Sequence, residues 1–164
     1  MRRTPYLPLL VLPVVAAMLL AAPLAADGLR LAPVKDPVVA KECSACHMLY
    51  PAGLLPARSW SAMMADLANH FGDNAELDAA TTKHIAGYLT ANAADGAKQN
   101  RVVLRGLAST EMPARITALP WWMRKHEKRD RVAPATLARK GAKFKGDCKA
   151  CHQDAERGFF DDDD

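Results

Sequence analysis

Cys43-Ser44-Ala45-Cys46-His47 and Cys148-Lys149-Ala150-Cys151-His152 are two copies of one spacing, C-x-x-C-H. Two cysteines three apart can reach the two vinyl groups of one porphyrin as thioethers, and the histidine that follows then stands under the iron as its proximal ligand. The two copies consume all four cysteines of the chain. Disulfides, or a zinc site made of two C-x-x-C knuckles, would use the same sulfurs. Neither explains a histidine after each pair, and zinc would need knuckles roughly a hundred residues apart to converge. The spacing therefore predicts two covalently bound haem c groups, on Cys43 with Cys46 and on Cys148 with Cys151, with His47 and His152 on the irons.

Three further histidines, His70, His84 and His126, compete for the two distal positions. A helix predicted from a Ser59 cap to Gly72 carries Trp60, Met63, Met64, Leu67 and Phe71 as its apolar stripe, and His70 projects from the same face. Leu119, Trp122, Met123 and His126 fall at i, i+3, i+4 and i+7, with Pro120 suited to a first turn. His84 lies at the margin of the stripe formed by Ile85, Tyr88 and Leu89, which makes it a surface or haem-edge residue. Methionine is the competing ligand type: Met63, Met64 and Met123 sit at core spacing, and Met112-Pro113, in an expected loop, is the best candidate.

Periodicity thus selects His47 and His70 for the first iron, and His152 and His126 for the second, although sequence order does not fix which distal histidine faces which porphyrin. Two protein nitrogens on each iron leave no position for oxygen or peroxide, which suits electron transfer. They also imply lower reduction potentials than a His/Met couple. The alternative is a dihaem peroxidase-like enzyme with one labile ligand, for which the chain is short. Trp122, on the His126 face, is expected to pack on haem. Trp60 and Trp121 suit core as well as porphyrin, and Tyr50, Tyr88 and Phe144 read as core.

Residues 1–26 stand apart. Arg2 and Arg3 precede an apolar run from Leu9 to Ala22, and Leu24-Ala25-Ala26 offers small residues before Asp27. This reads as an export signal cut near Ala26, with an uncleaved anchor as the alternative. Either places the rest in the periplasm.

The remaining chain divides by charge. Residues 27–97 hold 5 Lys/Arg against 8 Asp/Glu, residues 98–149 hold 14 against 4, and residues 150–164 hold 1 against 6. A basic block outside the cytoplasm can face an acidic redox partner or anionic lipid rather than nucleic acid, and its guanidinium groups also suit haem propionates.

Asp36-Pro37 predicts a helix start and delivers Cys46-His47 at that helix's end. A third helix begins near Asp78, and residues 92–96 read as a helix end and linker. Residues 101–115 carry little pattern. A last helix from Pro134 aligns Leu137, Gly141, Phe144, Cys148 and Cys151, with Gly146 as an interruption. No strand pattern of any length occurs. The fold is expected to be all-α, with one haem in residues 27–97 and another in residues 98–164.

Several runs resemble the small exported dihaem cytochromes c: Glu42 to His47, Leu54 to Trp60, His70 to Ala75, Arg115-Ile116-Thr117, Pro120-Trp121-Trp122 with His126-Glu127, and Cys148 to Ala155. The similarity spans nearly all of the chain after residue 26. It implies a class I cytochrome c-like N-terminal half, a small irregular helical C-terminal haem domain, and His/His coordination at both irons. It also implies partners: a membrane-bound b-type cytochrome that supplies electrons and a soluble high-spin haem protein that receives them. The chain departs from the resemblance at Phe159-Phe160 and four closing aspartates, where a few more residues are expected.

Overall fold

Helix α1, Pro37–Cys43, begins at the predicted Asp-Pro pair. The Asp36 carboxylate accepts from the backbone N–H of Val38 at 2.9 Å and of Val39 at 3.0 Å, donors with no partner inside the helix. The helix stops at Cys43, so Cys46 and His47 follow it in a turn rather than ending it. The computed structural model describes residues 28–96 and 101–161. The export signal read over residues 1–26, the division drawn between residues 97 and 98, and the aspartates beyond Asp161 lie outside the described residues.

Helix α2 is Ala57–Met64, not the longer segment expected to start at Ser59 and reach Gly72. Ser59 lies in its first turn, 1% exposed. The cap comes instead from Asp95, whose carboxylate accepts from the Ala57 N–H at 2.8 Å while its other oxygen lies 3.7 Å from the Arg58 guanidinium. Past Met64 the chain makes a short 3-10 turn over Leu67–Asn69, and this removes the helical register that was to carry His70.

Helix α3, Ala79–Ala91, starts at Asp78, which accepts from the N–H groups of Ala80 and Thr81. It packs chiefly on α2 and also on α1, burying Ile85 completely and Leu89 nearly so. Each such aliphatic side chain contributes roughly 1.5–3 kcal/mol when withdrawn from water. The segment after α3, read as a linker, is instead tied down. Ala93 and Ala94 are fully buried, and the Ala94 N–H donates to the Leu55 carbonyl at 2.9 Å.

The second half has less regular structure. Two 3-10 turns, Arg101–Leu104 and Ile116–Ala118, lead into α4, Pro120–His126, preceded by the fully buried Leu119. Helix α5, Pro134–Lys140, ends at Gly141, whose φ of +70° is the left-handed cap that glycine adopts without strain. This stop comes before Phe144, so that residue is exposed rather than core, a correction to the sequence reading.

The expectation of no strands also needs correction, at a small scale. β1, Leu29–Arg30, pairs antiparallel with β2, Phe159–Phe160, and the Leu31 N–H donates to the Gly158 carbonyl at 2.8 Å. The ladder fastens the described N-terminal residues to the C-terminal segment. The architecture is otherwise helical, and one apolar cluster runs through both halves, from Val39, Leu54, Trp60 and Ile85 to Val103, Leu119 and Trp122. Among the described residues no helix is long and apolar enough to cross a membrane.

Candidate haem sites

His47 and His70 face one another, with ring centres 6.2 Å apart and planes inclined by 29°. His126 and His152 form a second pair, also with centres 6.2 Å apart, but with planes at 87°. An imidazole nitrogen that ligates a metal sits about 2 Å from it, with the ring centre about 1 Å behind, so two rings on opposite sides of one iron stand about 6 Å apart. Both pairs have the spacing of rings sharing a central iron. Sequence order left open which of the remaining histidines lies near which C-x-x-C-H histidine; in the structure His70 is beside His47, and His126 is beside His152.

His70 reaches His47 through a turn, not a helix face. Its backbone N–H donates to the Asp73 carbonyl at 2.9 Å, and the Asp73 N–H donates back at 3.2 Å. Between them Phe71 takes φ +58° and Gly72 φ +109°. A phenylalanine in the left-handed region is strained, and the glycine beside it has the freedom the reversal needs. The exposed Phe71 ring carries the Arg115 guanidinium 4.1 Å from its centre, which ties this turn to the second half.

Backbone carbonyls fix the ring protons. Nδ1 of His47 lies 2.7 Å from the Met48 oxygen, Nδ1 of His126 lies 2.9 Å from the Trp122 oxygen, and Nδ1 of His152 lies 3.1 Å from the Asp161 oxygen. A carbonyl only accepts, so each Nδ1 is the donor, and in the neutral ring Nε2 then keeps the lone pair that a metal needs. His70 has no such carbonyl partner among the described contacts. Burial, then the neighbouring His47, pushes its pKa below the ordinary 6.5.

The second pair lines a cavity of about 640 Å³, within the range of sites that take a cofactor. Leu29, Leu54, Ile116, Trp121, Trp122 and Phe160 supply apolar walls, and the Cys148 sulfur is at hand. Arg105, Arg124, Lys125, Lys128 and Arg131 also line it, a cationic set that suits a ligand carrying carboxylates. Trp122, expected to pack on haem, lines this cavity and also stacks on His126, with centres 4.3 Å apart and planes within 12°.

All four cysteines are free thiols, the precursors of thioether links. Before any haem is attached, burial pushes the Cys148 thiol up to about 11 and raises that of Cys43 as well. No pair is joined, and among the described residues no three His, Cys, Asp or Glu side chains gather as a metal site.

Among the described ring contacts His84 joins neither pair. It is half exposed, and its Nε2 lies 2.8 Å from the Asp36 carboxylate. Met112 is 60% exposed in a loop. Sequence reasoning did not find the carbonyls of Met48 and Asp161, because a backbone acceptor has no residue-type signature.

A mostly helical chain with two C-x-x-C-H turns, each facing a second imidazole, has the make-up of a c-type cytochrome. The sequence profile of the dihaem cytochrome c family matches residues 39–160, and the chain belongs to that family. A diheme cytochrome c from Rhodobacter sphaeroides is 53% identical, over 79% of this chain and 99% of that one, with a TM-score of 0.70. A second structure, DHC purified from Rhodobacter sphaeroides, is 49% identical over 78% and 99%, with a TM-score of 0.63. The diheme cytochrome type c from Shewanella baltica is 37% identical over 76% and 86%, with a TM-score of 0.60. No curated protein sequence matches the chain. Membership carries the cofactor with it: the protein holds two covalently bound haem c groups.

Proposed function

We infer that this dihaem cytochrome is a periplasmic electron carrier in which His47 and His70 hold one iron, and His152 and His126 the other. Each haem, when bound, supplies an iron that takes up and gives back a single electron. The observation that carries the reading is the repeated 6.2 Å spacing of two imidazole pairs. The protein's own part is to keep both axial positions filled. Met48, Trp122 and Asp161 hold the Nδ1 protons of three rings, fixing their tautomer and orientation. Cys43 with Cys46, and Cys148 with Cys151, anchor the porphyrins as thioethers. The cationic lining of the second cavity suits the propionates of a haem held there.

A centre that keeps its ligands changes charge with little rearrangement, which favours transfer over catalysis. The partners this reading expects are a membrane-bound b-type cytochrome as donor and a soluble high-spin haem protein as acceptor. Support comes from the family resemblance and from the basic block that spans residues 98–149.

Carbon monoxide tests the reading. The reduced protein should keep its spectrum under the gas, and the oxidised protein should not turn over peroxide. Rapid formation of a carbonyl adduct, or sustained peroxide consumption after pre-reduction, would favour an enzyme with a labile ligand.

A further inference from the structure

We propose that Trp122 is a positioning residue that locks the plane of His126 across that of His152, giving the second haem an electronic structure distinct from that of the first. The inference rests on the bis-histidine reading above.

The two histidine pairs share a spacing but not an orientation: 29° between His47 and His70, and 87° between His126 and His152. Ring planes at a ligated iron rotate freely about the metal–nitrogen bond unless something else holds them. At His126 two constraints come from one residue. The Trp122 carbonyl takes the Nδ1 proton at 2.9 Å, and the Trp122 indole lies flat against the imidazole at 4.3 Å. The hydrogen bond fixes one atom, and the stacked face fixes the plane. The indole is packed in the core, 3% exposed, in the same cluster as the fully buried Leu119.

His152 is set independently. Asp161 accepts from its Nδ1, and the Phe160 ring meets it edge-on at 5.7 Å. The crossing is thus imposed from two separate elements, α4 on one side and the β2 segment on the other. His47 and His70 have a different support. Tyr50 tilts against His47 at 4.9 Å and Phe71 meets His70 edge-on at 4.9 Å, and among the described residues neither ring lies flat against an indole as His126 does.

The consequence follows from orbital symmetry. Near-parallel imidazoles donate π density into the same iron d orbital and split the pair, which gives a rhombic low-spin ferric signal. Crossed imidazoles donate into both orbitals alike and leave them nearly degenerate, which gives a strongly anisotropic signal with a large maximum g value.

Low-temperature electron paramagnetic resonance of the oxidised holoprotein reads this directly. The wild-type protein should show one rhombic and one strongly anisotropic low-spin signal in equal amounts. Trp122→Leu removes the stacked face and keeps the carbonyl. It should abolish or spread the anisotropic signal and leave the rhombic one unchanged. Trp122→Phe restores an aromatic face and should restore the anisotropic signal. Two rhombic signals in the wild-type protein would overturn the proposal while leaving bis-histidine ligation intact, and so would a Trp122→Leu spectrum that superimposes on wild type. A high-spin signal in the wild-type protein would instead remove the ligation on which the proposal stands.

Discussion

The carbonyl oxygen of Asp161 stands 3.1 Å from Nδ1 of His152, so the chain just after β2 orients a candidate iron ligand. That contact depends on Gly158, which takes φ +84° and whose carbonyl accepts from the Leu31 N–H at 2.8 Å. A Cβ at this position would run into the Leu31 carbonyl oxygen. Gly158→Ala should therefore cost about 2 kcal/mol or more, from the left-handed φ and the backbone clash together. It should also shift the potential of the second haem and leave the first alone. Chemical denaturation and a redox titration check both. A change below about 0.5 kcal/mol would mean that the strand pairing does not hold this region.

Distal-ligand variants separate the histidines by role. His70→Ala and His126→Ala should each turn one of the two haems high-spin, whereas His84→Ala should leave both low-spin. His84 is half exposed and engaged with Asp36 at 2.8 Å. Visible spectra of the three oxidised variants decide the matter, and a spin change in His84→Ala alone would contradict the assignment.

Asp95 offers a test of the fold's long-range cap. Its carboxylate accepts from the Ala57 N–H at 2.8 Å, and without it the first turn of α2 loses an acceptor. Asp95→Ala should destabilise the protein by about 1 kcal/mol, the usual cost of losing a helix cap. Asp95→Asn, which retains an acceptor oxygen, should recover most of that loss in the same denaturation experiment.

Acid should weaken α1 through Asp36. Its carboxyl is held below the ordinary 3.8, first by the Val39 N–H and then, after an opposing desolvation, by His84. The folded state thus favours the ionised form, so the stabilisation is complete above pH 3.8 and is lost as pH falls through the lower folded value. Thermal midpoints of wild type and Asp36→Ala should differ at neutral pH and converge in strong acid.

These contacts also mark how much the sequence reveals. Helices α1, α3 and α4 were legible because their start signals are local: Asp36 before Pro37, Asp78 before the third stripe, Pro120 after Leu119. α2 was misplaced because its cap, Asp95, comes from the far side of α3. His70 was chosen from a helical stripe that ends at Met64, and its place beside His47 comes from the Phe71–Gly72 reversal, which carries no helical period. The Leu29–Phe160 pairing joins segments too distant for any periodicity to signal, and the stripe that would bury Phe144 is cut off at Gly141. The chemistry was more legible than the packing, since C-x-x-C-H declares both sulfurs and a histidine in five residues.

The central claim, two nitrogen ligands on each iron, is tested most directly by near-infrared magnetic circular dichroism of the oxidised protein. The account predicts charge-transfer bands for both haems at the energy of paired imidazoles, with no far-red band from sulfur ligation. A sulfur-to-iron band, which would bring in a methionine such as Met112, or a high-spin band from an open position, would contradict it.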